Sequence, residues 1–230
     1  MRIYKNITYD SNRDIIHTMQ SLTSPNISTE DYRNAFYHLG KSLGCLLNNK
    51  TSGIYGNTML SCASEDADWL AVGVLETLTQ KNVSLAVFWN ERITLSSKSK
   101  LEYSPIIGSY IEPIERCQTL ILVKSIISTS CVIKSQLMRL INDVKPQNIY
   151  IVAPVMYKDA ENSLKNEFPK DINKKFNFIT FAIDNERDVN NCIIPGIGGM
   201  VYSKLGLGDS HGKNKYIPEI VRKRSFTTKK

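Results

Sequence analysis

The chain alternates continuous apolar runs with stretches in which apolar residues recur at helical spacing. Residues 29–47 begin with a hydroxyl and two acids and then repeat apolar residues every three or four positions, which predicts a long helix. Further along, uninterrupted apolar runs predict buried strands. The predicted strands cover residues 58–62, 83–89, 119–123, 148–156 and 176–183, and the predicted helices between several of them cover residues 66–78, 132–144 and 158–168. This alternation predicts an α/β fold in which a largely parallel sheet is flanked by helices.

Residues 91–118 break this alternation with polar turns and short alternating runs. They predict an excursion over the sheet, in the form of a small hood or lid. A plain surface hairpin would give the same pattern. Ligands of such folds bind beyond the carboxyl ends of the strands, so we expect the site in the loops that follow the strands.

The composition is that of an ordinary globular protein, with 230 residues of which 42% are apolar and 22% charged. The five cysteines form no CxxC pair and the three histidines are scattered, which argues against a disulfide framework and predicts no metal site. No apolar run approaches the roughly 20 residues that span a bilayer, and the first residues, MRIYKNITYD, lack the apolar core of a signal peptide. We therefore expect a cytoplasmic protein without a membrane partner.

Positive charge is concentrated toward the end of the sequence. Residues 213–230 hold seven Lys and Arg residues against one Glu, and so carry +6 of the formal net charge of +7. This change in charge along the sequence predicts a main domain over residues 1–212 and a basic tail over residues 213–230. Through Arg222, Lys223 and Arg224 such a tail can hold nucleic acid phosphates or a protein partner. A solvated tail and a contact to a neighbouring subunit are open alternatives.

The segment LILVKSIISTSCVIKSQL, residues 120–137, joins a predicted strand to a predicted helix through a hydroxyl-rich turn. It resembles the phosphoribosyl-pyrophosphate motif of the type I phosphoribosyltransferases. The resemblance implies that a 5′-phosphate is held by the amides and side chains of Ser128, Thr129, Ser130 and Cys131, in line with the affinity of a helix N-terminus for anions. The alternative is that the same hydroxyls cap the helix.

Several positions depart from that motif. In the resembled family two acids after the strand hold the ribose hydroxyls, whereas Lys124 and Ser125 stand there in this chain. Val132 also replaces the threonine that closes the phosphate loop. Catalysis in the family relies on positioning and on stabilising a cationic ribose, so these departures imply that transfer activity is altered or lost.

A second segment, CIIPGIGGMVYSKLG at residues 192–206, is similar to the base-binding segment of the uracil phosphoribosyltransferases. Its glycines would let backbone groups come close to a planar base. The resemblance assigns base binding to Ile194, Pro195, Gly196 and Gly198. Gly199 stands where the family has an aspartate, and a simple tight turn is the alternative interpretation.

A third segment, TMLSCASEDADWLAVGVLETL at residues 58–78, resembles the family's pyrophosphate loop and the helix that follows it. Glu65, Asp66 and Asp68 load this loop with negative charge, which repels an anion. We therefore predict that Lys124 pairs with one of these acids and that the pair replaces a metal-bridged pyrophosphate. The alternative is that the acids only favour the helix N-terminus and that Lys124 is exposed to solvent.

The three resemblances together span roughly residues 29–202 and imply three kinds of function. The first is an enzyme, either a divergent phosphoribosyltransferase, which is a glycosyltransferase, or a nucleotide–ribose hydrolase with Glu65, Asp66 or Asp68 as its catalytic acidic group. The second is a non-catalytic regulator or effector that binds a nucleotide and a nucleic acid or protein partner, as in bacterial antiphage systems such as retrons. The third is an assembly scaffold. We expect a nucleotide or phosphoribosyl ligand, with magnesium only if phosphoribosyl pyrophosphate is used. The resemblance also implies that two copies of the chain can form a homodimer.

Overall fold

A mixed sheet, parallel except at its two edges, forms the centre of the molecule. The computed structural model describes residues 1–51, 56–80, 82–94, 102–189 and 192–227. The strands in these ranges are β1 (Arg2–Tyr4), β2 (Thr58–Ala63), β3 (Val83–Asn90), β4 (Ile93–Thr94), β5 (Glu102–Tyr103), β6 (Ile106–Ile111), β7 (Thr119–Val123), β8 (Ile126–Ile127), β9 (Asn148–Tyr157), β10 (Phe176–Asp184), β11 (Glu186–Arg187) and β12 (Ile193–Ile194). The helices are α1 (Arg13–Ser21), α2 (Thr29–Thr51), α3 (Ser64–Asp66), α4 (Val72–Thr77), α5 (Cys131–Val144), α6 (Ala160–Asn166), α7 (Lys170–Asn173), α8 (Val201–Lys204), α9 (Ser210–Lys215) and α10 (Glu219–Thr227), and a π-helical stretch, Ala67–Ala71, joins α3 to α4.

The main sheet has eight strands in the order β1, β10, β9, β7, β2, β3, β6, with β8 also paired to β9. The inner strands run parallel, and β1 and β6 are antiparallel edge strands. Every residue of β2 and of β7 is buried, because helices cover both faces of the sheet. These strands therefore give continuous apolar runs in the sequence instead of alternating ones.

Each face of the sheet has its own core. On one face α1, α2 and α4 pack through side chains such as Ile16, Phe36 and Val74. On the other face α5 and α6 pack through side chains such as Leu137 and Leu164. In the described ranges, no helix is long and apolar enough to cross a membrane.

The predicted strands are confirmed, as are the helices predicted over residues 29–47, 132–144 and 158–168, with ends that differ by a few residues. Two predictions need correction. Residues 66–78 do not form one regular helix, because the π-helical stretch interrupts it. Residues 91–118 do not lie entirely over the sheet, since β6 pairs with β3 as an edge strand whose half-exposed face produced the alternating pattern. β4 and β5 pair antiparallel in a separate two-stranded sheet within this segment, and residues 95–101 between them lie outside the described residues. The hood or lid therefore stays a prediction.

The described part of the predicted basic tail is folded against the rest of the chain. The ring of Tyr216 stacks parallel to that of Trp69, with centroids 6.1 Å apart, and the backbone carbonyl of Tyr216 accepts the indole N–H of Trp89 at 2.7 Å. Lys213, on α9, is buried. The apolar and aromatic residues between the cations therefore anchor this segment, whereas a run of charges alone would have left it in solvent.

Candidate functional site

A cavity of about 480 Å³ lies at the carboxyl ends of the central strands. β2, β3 and β7 each bring a polar or charged side chain to its lining, at or just beyond their last residues: Glu65, Asn90 and Lys124. The hydroxyl-rich turn before α5 and the segment from β12 to α8 form further walls. Much of the remaining surface is apolar, as at Ile126 and Val201. The cavity thus occupies the position at which α/β sheets bind their ligands.

Beside this cavity, the ammonium group of Lys124 bridges two buried carboxylates. Lys124 Nζ donates to Asp66 Oδ2 at 2.6 Å and to Glu65 Oε1 at 3.2 Å. Asp66 Oδ1 also accepts the backbone N–H of Ser125 at 3.1 Å. The Lys124 side chain is only 10% exposed, and that of Asp66 only 1%. The predicted ion pair is therefore confirmed, and the alternative of a solvent-exposed Lys124 is wrong.

Lys213 brings a second ammonium group to the same cluster. Its Nζ donates to the backbone carbonyl of Asn90 at 2.6 Å and lies 3.5 Å from Glu65 Oε2. Two positive and two negative charges thus meet beside the cavity. The sequence did not reveal this contact, because nothing in a run of charged residues distinguishes a buried lysine from a solvated one. No group of three or more His, Cys, Asp or Glu that could hold a metal ion occurs among the described residues.

Burial and charge pairing compete in setting the pKa values of this cluster. Burial raises the pKa of Glu65, but the ammonium groups of Lys124 and Lys213 outweigh it and hold the pKa below its ordinary value. Burial also raises the pKa of Asp66, and there it outweighs the attraction of Lys124, so the pKa lies above its ordinary value. Burial lowers the pKa of Lys124, but the two carboxylates reverse this effect and raise it. Glu65 and Lys124 are therefore charged at neutral pH.

Two of the four residues predicted to hold phosphate line the cavity, namely Ser128 and Thr129. Arg187 on β11 donates to the side-chain hydroxyl and to the backbone carbonyl of Ser128, both at 2.7 Å. The same guanidinium stacks on the ring of Tyr157, 3.9 Å from its centroid. A cation is thus held beside the hydroxyl-rich turn. Sequence analysis missed Arg187, which comes from a strand far along the chain.

The other two predicted phosphate residues, Ser130 and Cys131, are not part of the cavity lining. Ser130 Oγ donates to Glu167 Oε1 at 2.7 Å, and the Glu167 carboxylate also pairs with Lys134. Ser130 makes no side-chain capping bond to α5, so the capping alternative is wrong for this residue. Cys131 is the first residue of α5 and is partly exposed.

The predicted base-binding segment reaches the cavity through neighbours of the predicted residues. Ile193, Ile197 and residues 199–202 line the cavity. The predicted residues, which are absent from this lining, are Ile194, Pro195, Gly196 and Gly198. At Gly198 the backbone has φ of 79°, and a Cβ there would lie 2.1 Å from the carbonyl oxygen of Leu22. This glycine is required by the turn and by its close approach to α1.

The backbone of Gly196 is used inside the protein. Its N–H donates to Asp184 Oδ2 at 2.9 Å, and its carbonyl accepts a bond from Arg2 Nη2 at 2.6 Å. Arg2 and Asp184 are themselves joined by two hydrogen bonds. The polar groups predicted to contact a base at this residue thus fix the turn to β1 and β10.

Asp68 lies apart from Glu65 and Asp66. Its carboxylate accepts the backbone N–H groups of Glu219 at 2.7 Å and of Ile220 at 2.9 Å, and also the hydroxyl of Tyr216. It therefore caps α10 from a distant part of the chain, where a negative charge is favourable. Burial and the bond to Asp68 raise the pKa of Tyr216. The structure does not bring Asp68 into the cavity.

The three cations predicted to bind a partner lie on α10. Arg222 and Lys223 are exposed, and Lys223 forms an ion pair with Glu219 at 2.9 Å. Arg224 donates to Glu112 Oε2 at 2.9 Å and to a backbone carbonyl of β3. Arg224 thus helps to dock the helix, and Arg222 and Lys223 are the cations that face solvent.

Comparison with known proteins gives similarity in fold without similarity in sequence. No protein-family model matches the sequence, and no curated protein matches it significantly. The structure is similar to that of the AQ2163 protein from Aquifex aeolicus, with 14% identity, 85% of this chain and 95% of that chain covered, and a TM-score of 0.67. It is also similar to an adenine phosphoribosyl transferase from Trypanosoma brucei, solved in complex with AMP, pyrophosphate and ribose-5-phosphate, with 10% identity, 81% and 86% covered, and a TM-score of 0.50. The chain therefore has the type I phosphoribosyltransferase-like fold.

Proposed function

We propose that this protein binds a nucleotide or another phosphoribosyl ligand in the cavity, and that its phosphoribosyl transfer activity is altered or lost. The observation that carries the proposal is the buried contact of Lys124 with Asp66 and Glu65. The adenine phosphoribosyl transferase with a similar fold was solved with AMP, pyrophosphate and ribose-5-phosphate. A ligand of this class is thus consistent with the fold, and the charges beside the cavity argue against pyrophosphate as part of it.

A magnesium-bridged pyrophosphate does not fit the residues present. Glu65 and Asp66 already accept hydrogen bonds from Lys124, whose charge repels a divalent cation. Without the metal, the cluster gives pyrophosphate little attraction, because both ammonium groups are already paired with carboxylates. A monophosphate bound at the hydroxyl-rich turn needs neither the metal nor this cluster.

The turn offers the groups that a monophosphate needs. Ser128 and Thr129 supply hydroxyls at the cavity wall, and the guanidinium of Arg187 is held 2.7 Å from Ser128 Oγ. Arginine and hydroxyl donors form strong, charge-assisted hydrogen bonds to phosphate oxygens. Ser128 and Thr129 support phosphate binding at the lining, whereas Arg187, like Ser130 and Cys131, lies outside it and holds Ser128 in place.

If the protein catalyses a reaction, Glu65 is the candidate acidic group. Among the three predicted acids, it alone lines the cavity, since Asp66 is absent from the lining and Asp68 caps α10. Its lowered pKa keeps it ionised at neutral pH, so it can accept a hydrogen bond from a water molecule and orient it. Hydrolysis of a nucleotide at its ribose is the reaction class that these residues favour over transfer to pyrophosphate.

Isothermal titration calorimetry tests the proposal with ribose 5-phosphate, uridine monophosphate and phosphoribosyl pyrophosphate, each with and without magnesium. We expect the monophosphates to bind without magnesium, and Thr129→Val to weaken them about tenfold, as the loss of one hydrogen bond to a charged group predicts. Thr23→Val, at a threonine outside the cavity lining, is the matched control and should leave binding unchanged. Magnesium-dependent binding of phosphoribosyl pyrophosphate, with formation of nucleotide from an added base, would contradict lost or altered transfer. Failure of every ligand to bind would contradict the proposal as a whole.

A second candidate function is a regulator or effector that contacts nucleic acid or a protein through α10. The exposed side chains of Arg222 and Lys223 favour it. The segment should attract a polyanion less than its charge of +6 implies, because Lys213 and Arg224 are bonded inside the protein. If this function holds, the affinity for an oligonucleotide should fall as salt rises from about 50 to 200 mM. In Arg222→Ala this dependence on salt should be smaller. Binding that ignores salt and this substitution would argue against it.

A further inference from the structure

Three oxygen atoms at the cavity have no hydrogen-bond partner in the described part of the chain. They are Glu65 Oε2, Asn90 Oδ1 and Ser104 Oγ. The three residues line the same cavity and are 6%, 3% and 2% exposed, respectively. Buried polar atoms in folded proteins are nearly always hydrogen-bonded. Glu65 Oε2 has only the 3.5 Å ion-pair contact with Lys213, and with Asn90 Oδ1 and Ser104 Oγ it therefore points to a ligand that donates hydrogen bonds.

Other atoms of these residues or of their neighbours form hydrogen bonds within the protein, and these bonds hold the three oxygens in place. Asn90 Nδ2 donates to the backbone carbonyl of Ser104 at 3.1 Å, and that carbonyl also accepts the hydroxyl of Ser135 at 2.6 Å. Lys213 Nζ binds the carbonyl of Asn90 at 2.6 Å and makes an ion-pair contact, at 3.5 Å, with Glu65 Oε2. Lys124 Nζ donates to the other oxygen of Glu65. The positions of the free oxygens are therefore set before any ligand arrives.

The charges around these oxygens restrict the chemistry of the ligand. A carboxylate and an amide oxygen only accept hydrogen bonds, so the ligand must present donors. A cationic donor would be repelled by the ammonium groups of Lys124 and Lys213, and an anion by Glu65. Neutral hydroxyl groups satisfy both restrictions, and several adjacent hydroxyls satisfy several of the oxygens at once.

We propose that Glu65, Asn90 and Ser104 form a subsite for the hydroxyl groups of a sugar, namely the ribose of the ligand. The inference rests on the proposed function, because the hydroxyls belong to the phosphoribosyl ligand of the same cavity. The subsite combines residues of α3, the end of β3 and the link between β5 and β6. It adjoins Lys124 through Glu65 but does not use Lys124 or Ser125, which occupy the positions of the ribose-binding acids in the resembled motif. Recognition of the sugar has in this way moved to neighbouring elements.

Ribose 5-phosphate and 2-deoxyribose 5-phosphate, compared by calorimetry, test the subsite. In the unmodified protein the loss of one hydroxyl should weaken binding about tenfold, because it leaves a buried acceptor unbonded. Ser104→Ala should reduce this preference, yet leave the melting temperature unchanged or raised, because it removes a buried hydroxyl that has no partner. Ser64→Ala is the matched control, since Ser64 Oγ is also buried and unpartnered but Ser64 is outside the lining. It should leave the preference intact.

The outcomes separate the subsite from the function on which it rests. Equal binding of the two sugar phosphates overturns the subsite and leaves the proposed function standing. Failure of both to bind, together with uridine monophosphate, overturns both. A lower melting temperature in Ser104→Ala with an unchanged preference for ribose assigns a structural role to this hydroxyl and also overturns the subsite.

Discussion

Replacement of Lys124 by methionine removes the ammonium group that compensates two internal carboxylates. Lys124 and Asp66 lie 2.6 Å apart, which corresponds to about 6 kcal/mol of attraction at an effective dielectric constant of about 20. Desolvation offsets part of this energy, and removal of one partner of a buried ion pair costs about 3–5 kcal/mol. We expect Lys124→Met to lower the free energy of unfolding by about this amount, measured by urea unfolding at neutral pH.

The loss should also depend on pH. The pKa of Asp66 is already raised by burial, and without Lys124 it rises further. A carboxyl group whose pKa is raised in the folded state favours folding below its unfolded pKa and loses that contribution as the pH rises through the folded value. The free energy of unfolding that Lys124→Met loses relative to the unmodified protein should therefore be small near pH 4 and grow toward about pH 8.

A surface pair with the same separation is the control. Lys165 and Glu161 are also 2.6 Å apart, but their side chains are 38% and 47% exposed. The double-mutant cycle of Lys165→Met and Glu161→Gln should give a coupling of about 0.5 kcal/mol or less, whereas the cycle of Lys124→Met and Asp66→Asn should give several times more. Equal couplings, or a loss in Lys124→Met that is below about 1 kcal/mol and independent of pH, would refute the reasoning.

Three further substitutions test the supports of the site. Asp68→Ala removes the acceptor of the Glu219 and Ile220 N–H groups. It should lower the free energy of unfolding in urea by about 1–2 kcal/mol and speed limited proteolysis of α10. Unchanged proteolysis would count against the capping role. Gly198→Ala places a Cβ 2.1 Å from a backbone oxygen at φ of 79°, so it should destabilise by about 1–3 kcal/mol in thermal unfolding, and a neutral result would contradict the close approach. The pKa of Glu65 lies below its ordinary value of 4.5, so its ionised form stabilises the fold above that pH, and the contribution is lost as the pH falls through the lowered value. Glu65→Gln should therefore flatten the fall in unfolding free energy between about pH 5 and 3, and an equally steep fall would argue against this role.

The fold could be predicted because its signals are local. Residues 119–123 form a buried strand between two others, and only a continuous apolar run suits that position. The contact between Lys124 and the acidic loop was predictable for a related reason. β2 and β7 are parallel neighbours, so the residues that follow them meet at one edge of the sheet, and opposite charges there attract.

The direction of individual side chains was not predictable. Asp66 and Asp68 are two residues apart and carry the same charge, yet one faces Lys124 and the other faces α10. A π-helical stretch begins between them and changes the angle at which successive side chains leave the backbone, and the sequence contains no signal for it. Lys213 was missed for a similar reason, since its burial depends on the aromatic contacts that dock its segment.

The balance of charge explains why the departures from the resembled motif act together. Lys124 and Lys213 offset Glu65 and Asp66, so the cluster is neutral as it stands. A change of Lys124 and Ser125 back to acids would place four carboxylates against one ammonium group in a buried site, at a cost that protonation of several of them would have to relieve. Such a reversal would therefore not recreate a site for magnesium and pyrophosphate. The exchanged charges, which come from β7, the loop after β2 and α9, form one unit, and the function of the cavity has to be sought with that unit intact.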